Sequence, residues 1–481
     1  MPNFSRRSFL ATSLALAGCA QRNDPQSLPS GRKTNVLFLA VDDLNTGLGC
    51  YGHPLVKSPN IDRLSARGVR FDRAYCQFPL CGPSRASVLT GLRPDTTNVL
   101  GNNIDFRDAL PNAVTLPQLF KNNGWVAARE GKMFHMNVPK ETKTNRFQDD
   151  PSWHHSVSPG GPEEQSEPEG GDAGKGVNSR MHWVRTTDGK GQSDSNAAER
   201  ALALLEKHRK EPFFLGVGFL RPHLPFVAPG RFYDMYPLDS VSLAQNPPND
   251  LDDIPEAHKA VRPHIWNNGE LDEKGMRETR RGYYASTSFM DEQVGRVVDG
   301  LDAMGLADNT VIVLWGDHGW SLGEHTHWQK MSLMEEVARV PLIIAAPGRA
   351  GNGRPSRSLV EFVDIYPTLA DLCGLTPPTS LEGQSLVPLL DNPTASAKQA
   401  AFTQIAFEEI RGLSVRTDRF RYNVWKGKGG GEELYDHDND PGEFTNLVGN
   451  AAMTYELERH RKLAQEYGLD RAFDVEIATA G

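Results

Sequence analysis

Asn35-Val36-Leu37-Phe38-Leu39-Ala40-Val41-Asp42-Asp43 places six consecutive apolar residues directly before two acids, near the start of a 481-residue chain. A run that short, apolar at odd and even positions alike, reads as a strand buried on both faces, as in a parallel sheet covered by helices. Four more runs of this kind follow, at 125–128, 213–218, 311–315 and 342–346. Between them, 58–67, 115–122, 195–207 and 279–304 are polar on one side only and read as helices. The alternation predicts an α/β domain with a large central sheet, mostly parallel or mixed, flanked by helices. After a proline-rich connector at 376–393, short strands at 401–406, 412–416 and 420–425, then 433–436 and a helix at 453–467, predict a smaller antiparallel sheet with a helix.

The expected organisation is an export signal at 1–19, a linker at 20–33, a catalytic domain at 34–390 and a C-terminal subdomain at 391–481. The Gly-, Pro-, Glu- and Ser-rich stretch 156–176 and the loop-rich 246–270 are expected to be surface connections. Arg6 and Arg7 precede an apolar run ending at Gly18, too short to span a bilayer that needs about 20 residues. The pair resembles a twin-arginine signal, and Leu16-Ala17-Gly18-Cys19 resembles a lipobox, which implies export to the periplasm or cell surface with a lipid on Cys19. The other reading is an ordinary cleaved signal with an incidental cysteine. That anchor is the one membrane contact expected.

Lys and Arg number 52 against 61 Asp and Glu, a net charge of -9, which excludes a dedicated nucleic-acid binder and requires any anionic ligand to find a local positive site. With 45 Gly, 33 Pro and 38% hydrophobic residues, the chain reads as folded and loop-rich, neither disordered nor coiled coil. Five cysteines are too few for a disulfide scaffold; Cys50, Cys76 and Cys373 are expected to be buried, with one disulfide left open.

Ligands of open α/β sheets bind beyond the carboxyl ends of the strands. Asp42 and Asp43 follow the first run, Lys132 and His135 the second, Arg221 and His223 the third, and Asp317 and His318 the fourth. An isolated Asp-Asp would be a turn or helix cap. Carboxylates gathered from distant strands are costly to bury unless a cation neutralises them, so a divalent metal is expected. Oxygen ligands favour Ca²⁺ or Mg²⁺, and His318 also admits a softer ion. His154-His155 and the pair His325 and His327 lack further ligands nearby in sequence and are given surface or substrate-edge roles rather than zinc. Trp320 and Trp328 are core residues or stacking platforms, with core favoured.

Pro79-Leu80-Cys81-Gly82-Pro83-Ser84-Arg85-Ala86-Ser87-Val88-Leu89-Thr90-Gly91 reads as a helix with proline in its first turn and glycine at its end. Its N-terminus offers free N–H groups to a sulfate or phosphate, and Arg85 returns to the face of Cys81. The stretch resembles the sulfatase signature C-x-P-x-R, met by Cys81, Pro83 and Arg85. Gly131-Lys132-Met133-Phe134-His135 resembles the second signature, with Ala127 and Arg129 departing from its usual pattern. Arg221-Pro222-His223-Leu224-Pro225-Phe226, and Asp317-His318-Gly319-Trp320 with Lys330, resemble further family segments. His318, where much of the family has Asn, is similar to the iduronate-2-sulfatase-like branch.

The resemblance implies an alkaline phosphatase-like fold and oxidation of Cys81 to formylglycine by a formylglycine-generating enzyme. One hydroxyl of the hydrate would attack sulfur, and the other, once deprotonated, would expel the sulfate. It implies a metal, Ca²⁺ first and Mg²⁺ or another divalent ion otherwise, on Asp42, Asp43, residue 81, Asp317 and His318. Arg85, Lys132 and Lys330 would neutralise the transferring sulfuryl group, His223 with Lys330 would aid the leaving alcohol, and His135 would deprotonate the second hydroxyl. The expected substrate is a sulfated carbohydrate, with a 2-O-sulfated uronic acid suggested by the branch. The alternatives are a phosphonate or phosphate ester hydrolase on the same site and a non-catalytic glycan-binding lipoprotein.

Overall fold

The computed structural model describes residues 32–137, 141, 147–162, 173–175 and 181–474; the expected export signal and Cys19 lie outside the described residues. Eight strands form the main sheet: β1 (Asn35–Val41), β2 (Val69–Tyr75), β3 (Val126–Gly131), β4 (His155–Val157), β5 (Phe213–Phe219), β6 (Thr310–Gly316), β7 (Leu342–Ala345) and β8 (Pro355–Glu361). Their order is β8-β2-β7-β6-β1-β5-β3-β4. Only β7 runs against its neighbours, antiparallel to both β6 and β2. A parallel return needs a long crossover, usually helical. The chain between β6 and β7 holds nothing longer than the single turn Glu335–Ala338, so it comes back antiparallel and stays at the edge where β1 and β6 end.

β1 explains why its run is apolar throughout. Val36, Phe38 and Ala40 enter one core with Val88, Leu89, Trp315 and Leu369. Leu37, Leu39 and Val41 enter another with Ala198, Ala201, Val294 and Val298. The first core is covered partly by α1 (Cys81–Thr90), the second by α2 (Ser193–His208) and α3 (Glu273–Ala303). α3 begins six residues before its expected start because Asp272 caps it, accepting from Gly275 N at 2.7 Å.

Three main-sheet strands escape the sequence pattern: the short β4, β2 because Arg70, Asp72 and Arg73 interrupt its apolar residues, and β8 because Ser356, Arg357 and Ser358 do. The stretch expected as loop at 156–176 is corrected in part: His155–Val157 extends the main sheet, and Ala173–Lys175 pairs with His182–Thr186, which pairs with Phe226–Pro229. Cys50, Cys76, Cys81 and Cys373 are free thiols, so the disulfide alternative does not occur among the described residues.

The C-terminal strands β9 (Ala401–Phe407), β10 (Ile410–Arg416), β11 (Phe420–Lys426) and β12 (Gly431–Asp436) form an antiparallel meander. Helix α4 (Thr454–Tyr467) covers one face with Leu457 and Ala464. On the other face Ile405, Ile410 and Trp425 pack on Phe78, Leu80, Met331 and Leu333. This small sheet therefore backs the residues just before Cys81 and just after Lys330.

A buried ion network fastens the same interface. Arg421 donates to Glu443 and to Glu335, and all three are buried. Burial raises both acids, but Arg421 beside Glu443, and Arg416 with Arg421 beside Glu335, outweigh it; Glu443 falls to about 2. Depressed carboxylates stabilise the fold above their unfolded value of 4.5, and that contribution fades as pH falls toward about 2. Arg421→Met takes a shared counter-charge from two buried acids, leaving Arg416 beside Glu335 and His437 beside Glu443, and is expected to cost about 3 kcal/mol in urea unfolding at neutral pH, and less at pH 3.

Candidate active site

Parallel register brings the ends of four strands to one level. Val41 lies opposite Phe219 and Gly316, and Gly131 opposite Gly218. Asp42 N donates to Phe219 O at 3.1 Å and Asp317 N to Val41 O at 3.2 Å, so the ladder continues into the acids themselves. Asp43 then turns into the left-handed region at φ 58°. That turn is held from α3, where the Tyr283 hydroxyl donates to Asp43 O (2.8 Å) and accepts from Asn45 N (2.9 Å). Asp317 Oδ1 accepts from the backbone of Asp43 (2.9 Å) and His318 (3.1 Å).

α1 begins at Cys81 and ends at Gly91, whose φ of 70° is the left-handed cap expected of glycine. In its first turn the N–H of Gly82 is taken by Asn102 Oδ1 at 2.9 Å, and Ser84 donates to Asp317 O. Tyr283, Ser84 and Asn102 carry no sequence signal of their own, because their meaning comes from what they touch.

Arg85 is fully buried and donates to Asp317 Oδ2 (2.8 Å), Asp42 Oδ1 (3.2 Å) and the carbonyls of Lys132 (2.8 Å) and Met133 (3.0 Å). The expected contact of Arg85 with a transferred group is thereby narrowed to one remaining N–H, since a guanidinium has five. Its main work is to brace two acids. Lys132 Nζ donates to Asp42 Oδ2 at 2.6 Å, and Lys330 Nζ to Asp43 Oδ1 at 2.7 Å and Cys81 Sγ at 3.0 Å.

His318 donates Nδ1–H to Gly319 O at 2.9 Å, which aims Nε2 inward, 3.2 Å from Asp43 Oδ1 and 3.3 Å from Cys81 Sγ. Burial would lower it, but Asp317 leads the groups that raise it to about 9. For Asp42, burial is outweighed by Lys132, His223 and Arg85, which hold it well below the carboxylate range; for Asp43 burial wins and raises it. Burial also pushes the Cys81 thiol up, but Lys132 and Lys330 bring it below its ordinary value.

Ligand atoms of Asp43, Cys81, Asp317 and His318 lie within 4.8 Å of one another, and Asp42, Cys81 and His223 form an overlapping group. Asp43 Oδ2 is buried with no hydrogen-bond partner. Three carboxylates, an inward imidazole nitrogen and an orphaned carboxylate oxygen fit a hard divalent cation.

His223 donates Nδ1–H to Leu224 O at 2.7 Å, leaving Nε2 3.7 Å from Asp43 Oδ2. Arg221 donates to the carbonyls of His223 and Pro225 and so shapes that loop. With Nε2–H of His135 donated to Asn137 Oδ1 at 3.3 Å, its buried Nδ1 keeps a lone pair and no partner. Burial lowers both imidazoles, His223 to about 4 and His135 to about 3, Lys132 helping at His135.

The surface or edge roles given to the other histidines are corrected for three of them. His325 is buried against Asp250 (3.1 Å), and His327 is buried with its ring 4.6 Å from Trp266. His155 is half-buried and pairs with Glu130 at 2.7 Å. Trp320 and Trp328 belong to a buried aromatic cluster, as the core reading expects, and the Lys330 ammonium lies 5.5 Å from the Trp320 ring centre.

A family profile described as Sulfatase matches residues 34–375, and one described as N-sulphoglucosamine sulphohydrolase, C-terminal, matches 323–467. Iduronate 2-sulfatase of Mus musculus is 33% identical, covering 91% of this chain and 94% of its own. The chain belongs to the sulfatase family. It is a sulfuric ester hydrolase, and the family implies a metal ion and a formylglycine. The sulfatase also superposes on a solved 2-O GAG sulfatase with a TM-score of 0.71 at 25% identity, covering 92% of this chain and 93% of that one. A phosphonate monoester hydrolase of Agrobacterium radiobacter gives 0.74 at 22% identity, covering 91% and 96%, and shares the fold.

Proposed function

We propose that this sulfatase is an exported enzyme that removes sulfate from a carbohydrate, a 2-O-sulfated uronic acid first, using Ca²⁺ and a formylglycine made from Cys81 by a formylglycine-generating enzyme. The convergence of Lys330, His318 and Asp43 within 3.8 Å of Cys81 Sγ carries the reading. The mouse iduronate 2-sulfatase and the 2-O GAG sulfatase support the substrate class. Arg6-Arg7 and the lipobox ending at Cys19 support export and tethering.

Asp42, Asp43, Asp317 and His318 would hold the cation beside residue 81. The bound cation would supply positive charge to a sulfate oxygen, and the hydrated aldehyde a nucleophilic hydroxyl and a second one for release. Arg85 and Lys132 keep the acids in place and charged. Lys330, whose ammonium form is reinforced by Asp43 despite burial, lies 3.0 Å from Cys81 Sγ and would serve the leaving oxygen. His223, lowered to about 4 by burial, presents its Nε2 toward Asp43 and with Lys330 aids the leaving alcohol. His135 receives the proton of the second hydroxyl at its free Nδ1.

Peptide mass spectrometry of protein from a host with the maturation enzyme tests the reading, by the mass loss of thiol-to-aldehyde conversion at residue 81. Chelation is expected to lower kcat/KM on sulfated sugars by about 100-fold or more, with Ca²⁺ restoring it best. Unchanged activity after exhaustive chelation would refute the metal assignment. The phosphonate hydrolase reading draws on the shared fold and on the likeness of tetrahedral oxyanions to this site. A faster rate on an aryl phosphonate than on the matching aryl sulfate would favour it.

A further inference from the structure

Lys330 sits in a segment that cannot hold itself. Gln329 and Met331, on either side of it, have φ of 74° and 71°, and His325 and Thr326 are left-handed too. Non-glycine residues reach this region only when their surroundings enforce it. Met331 N donates to Pro79 O at 3.2 Å, tying the segment to the residues just before Cys81.

The second tie comes from far away in the chain. Ser332 Oγ lies 3.0 Å from His258 Nε2, and His258 Nδ1 lies 2.8 Å from Glu433 Oε1. Asn423 donates to Glu433 Oε2 at 2.5 Å, and Met334 N donates to Ser332 Oγ at 3.2 Å. A carboxylate only accepts, so His258 donates from Nδ1, and its Nε2 shares the second hydrogen bond with the Ser332 hydroxyl. Both oxygens of Glu433, both ring nitrogens of His258 and the Ser332 hydroxyl are thereby hydrogen-bonded. The His258 ring is stacked on Trp425 at 4.4 Å and meets Trp266 edge-on at 5.3 Å.

Serine, histidine and an acid in this order have the geometry of a hydrolase nucleophile. Ser332, His258 and Glu433 are all fully buried, however, so no ester reaches the serine. What the hydroxyl does reach is its own segment, two residues from Lys330. Glu433, Asn423 and Trp425 belong to the C-terminal sheet, whose face already packs on Met331 and Leu333.

We infer that Glu433, His258 and Ser332 form a positioning relay, through which the C-terminal sheet holds the Lys330 ammonium at Asp43 and residue 81. The relay rests on the reading above, in which Lys330 serves the leaving group. It acts on a proton position, so its loss is felt most where the departing oxygen is most basic.

Ser332→Ala is the test, with Ser332→Thr as rescue and His258→Gln as the second variant. On an alkyl sulfate, Ser332→Ala is expected to lower kcat about tenfold with KM little changed, and on a nitrophenyl sulfate by about twofold or less. Ser332→Thr restores most of the loss. An equal loss on both substrates that tracks a lowered melting temperature would overturn the relay, as would no loss at all. Should the wild-type enzyme turn over no sulfate ester, the hydrolase reading fails by itself, and crystal structures decide the relay. Lys330 Nζ leaving hydrogen-bond distance of Asp43 in Ser332→Ala supports it, and an unmoved Nζ refutes it.

Discussion

Cys81→Ala removes all turnover of sulfate esters: kcat is expected to fall by about 10⁵-fold or more, the scale seen when a covalent nucleophile is deleted. Nothing else near residue 81 can replace it. Lys330 is held as an ammonium by Asp43, His318 is turned toward the acids, and Ser84 is spent on Asp317 O. The substitution removes one buried sulfur at a helix start and leaves the pairing of Arg85 and Lys132 with the acids untouched. The variant should therefore melt near the wild type and still bind a divalent cation. Steady-state kinetics beside a melting curve checks both halves, and measurable kcat in a well-folded variant would remove residue 81 from the chemistry.

Arg85→Met is expected to damage stability as much as activity. Asp42 and Asp317 are completely buried and share the Arg85 guanidinium, so its loss leaves two carboxylates short of a counter-charge in a dry site. Breaking such a pair from one side costs about 3–5 kcal/mol. Urea unfolding of metal-free protein at neutral pH should show that loss. Saturating Ca²⁺ should recover part of it, because a cation that binds only the folded acids adds stability by mass action. A loss of kcat of about 10²–10³-fold should persist with Ca²⁺ present, because misplaced acids no longer aim the charge at the sulfate. A full-strength fold in the variant without metal would contradict the bracing role.

The parts of this protein legible in its sequence are those whose physics is local. β1 announces itself because both of its faces are buried, and its closing acids follow from the place of ligands in such sheets. Pro83 and Gly91 are legible because the first turn of a helix and its left-handed end each favour a residue type, and Cys81 and Arg85 because their spacing with Pro83 resembles the sulfatase signature. The C-terminal meander is legible because its strands are consecutive and close in sequence.

β2 and β8 are hidden by charged residues at partly covered or exposed positions and, in β8, by the buried Ser356 and Ser358, none of which an apolar count recognises. The reversal of β7 depends on what the chain between β6 and β7 is not, namely a crossover helix. The partners of Arg85 are hidden for a similar reason: its spacing from Cys81 places it on the right face, but the groups it braces come from three other strand ends.

By itself, then, the sequence determined the α/β class and the set of acids, lysines and histidines at the strand ends, because burial and strand periodicity act within a few residues, while the proposed nucleophile at residue 81 was read from the resemblance of its segment to the sulfatase signature. Only the tertiary structure decided which acid each cation holds, that His223 and His135 stand lowered and Lys330 charged, and that Glu433 and His258 reach Ser332. Hydrogen-bond partnership and the charge state of a buried group depend on distances between residues that the chain keeps far apart until it folds.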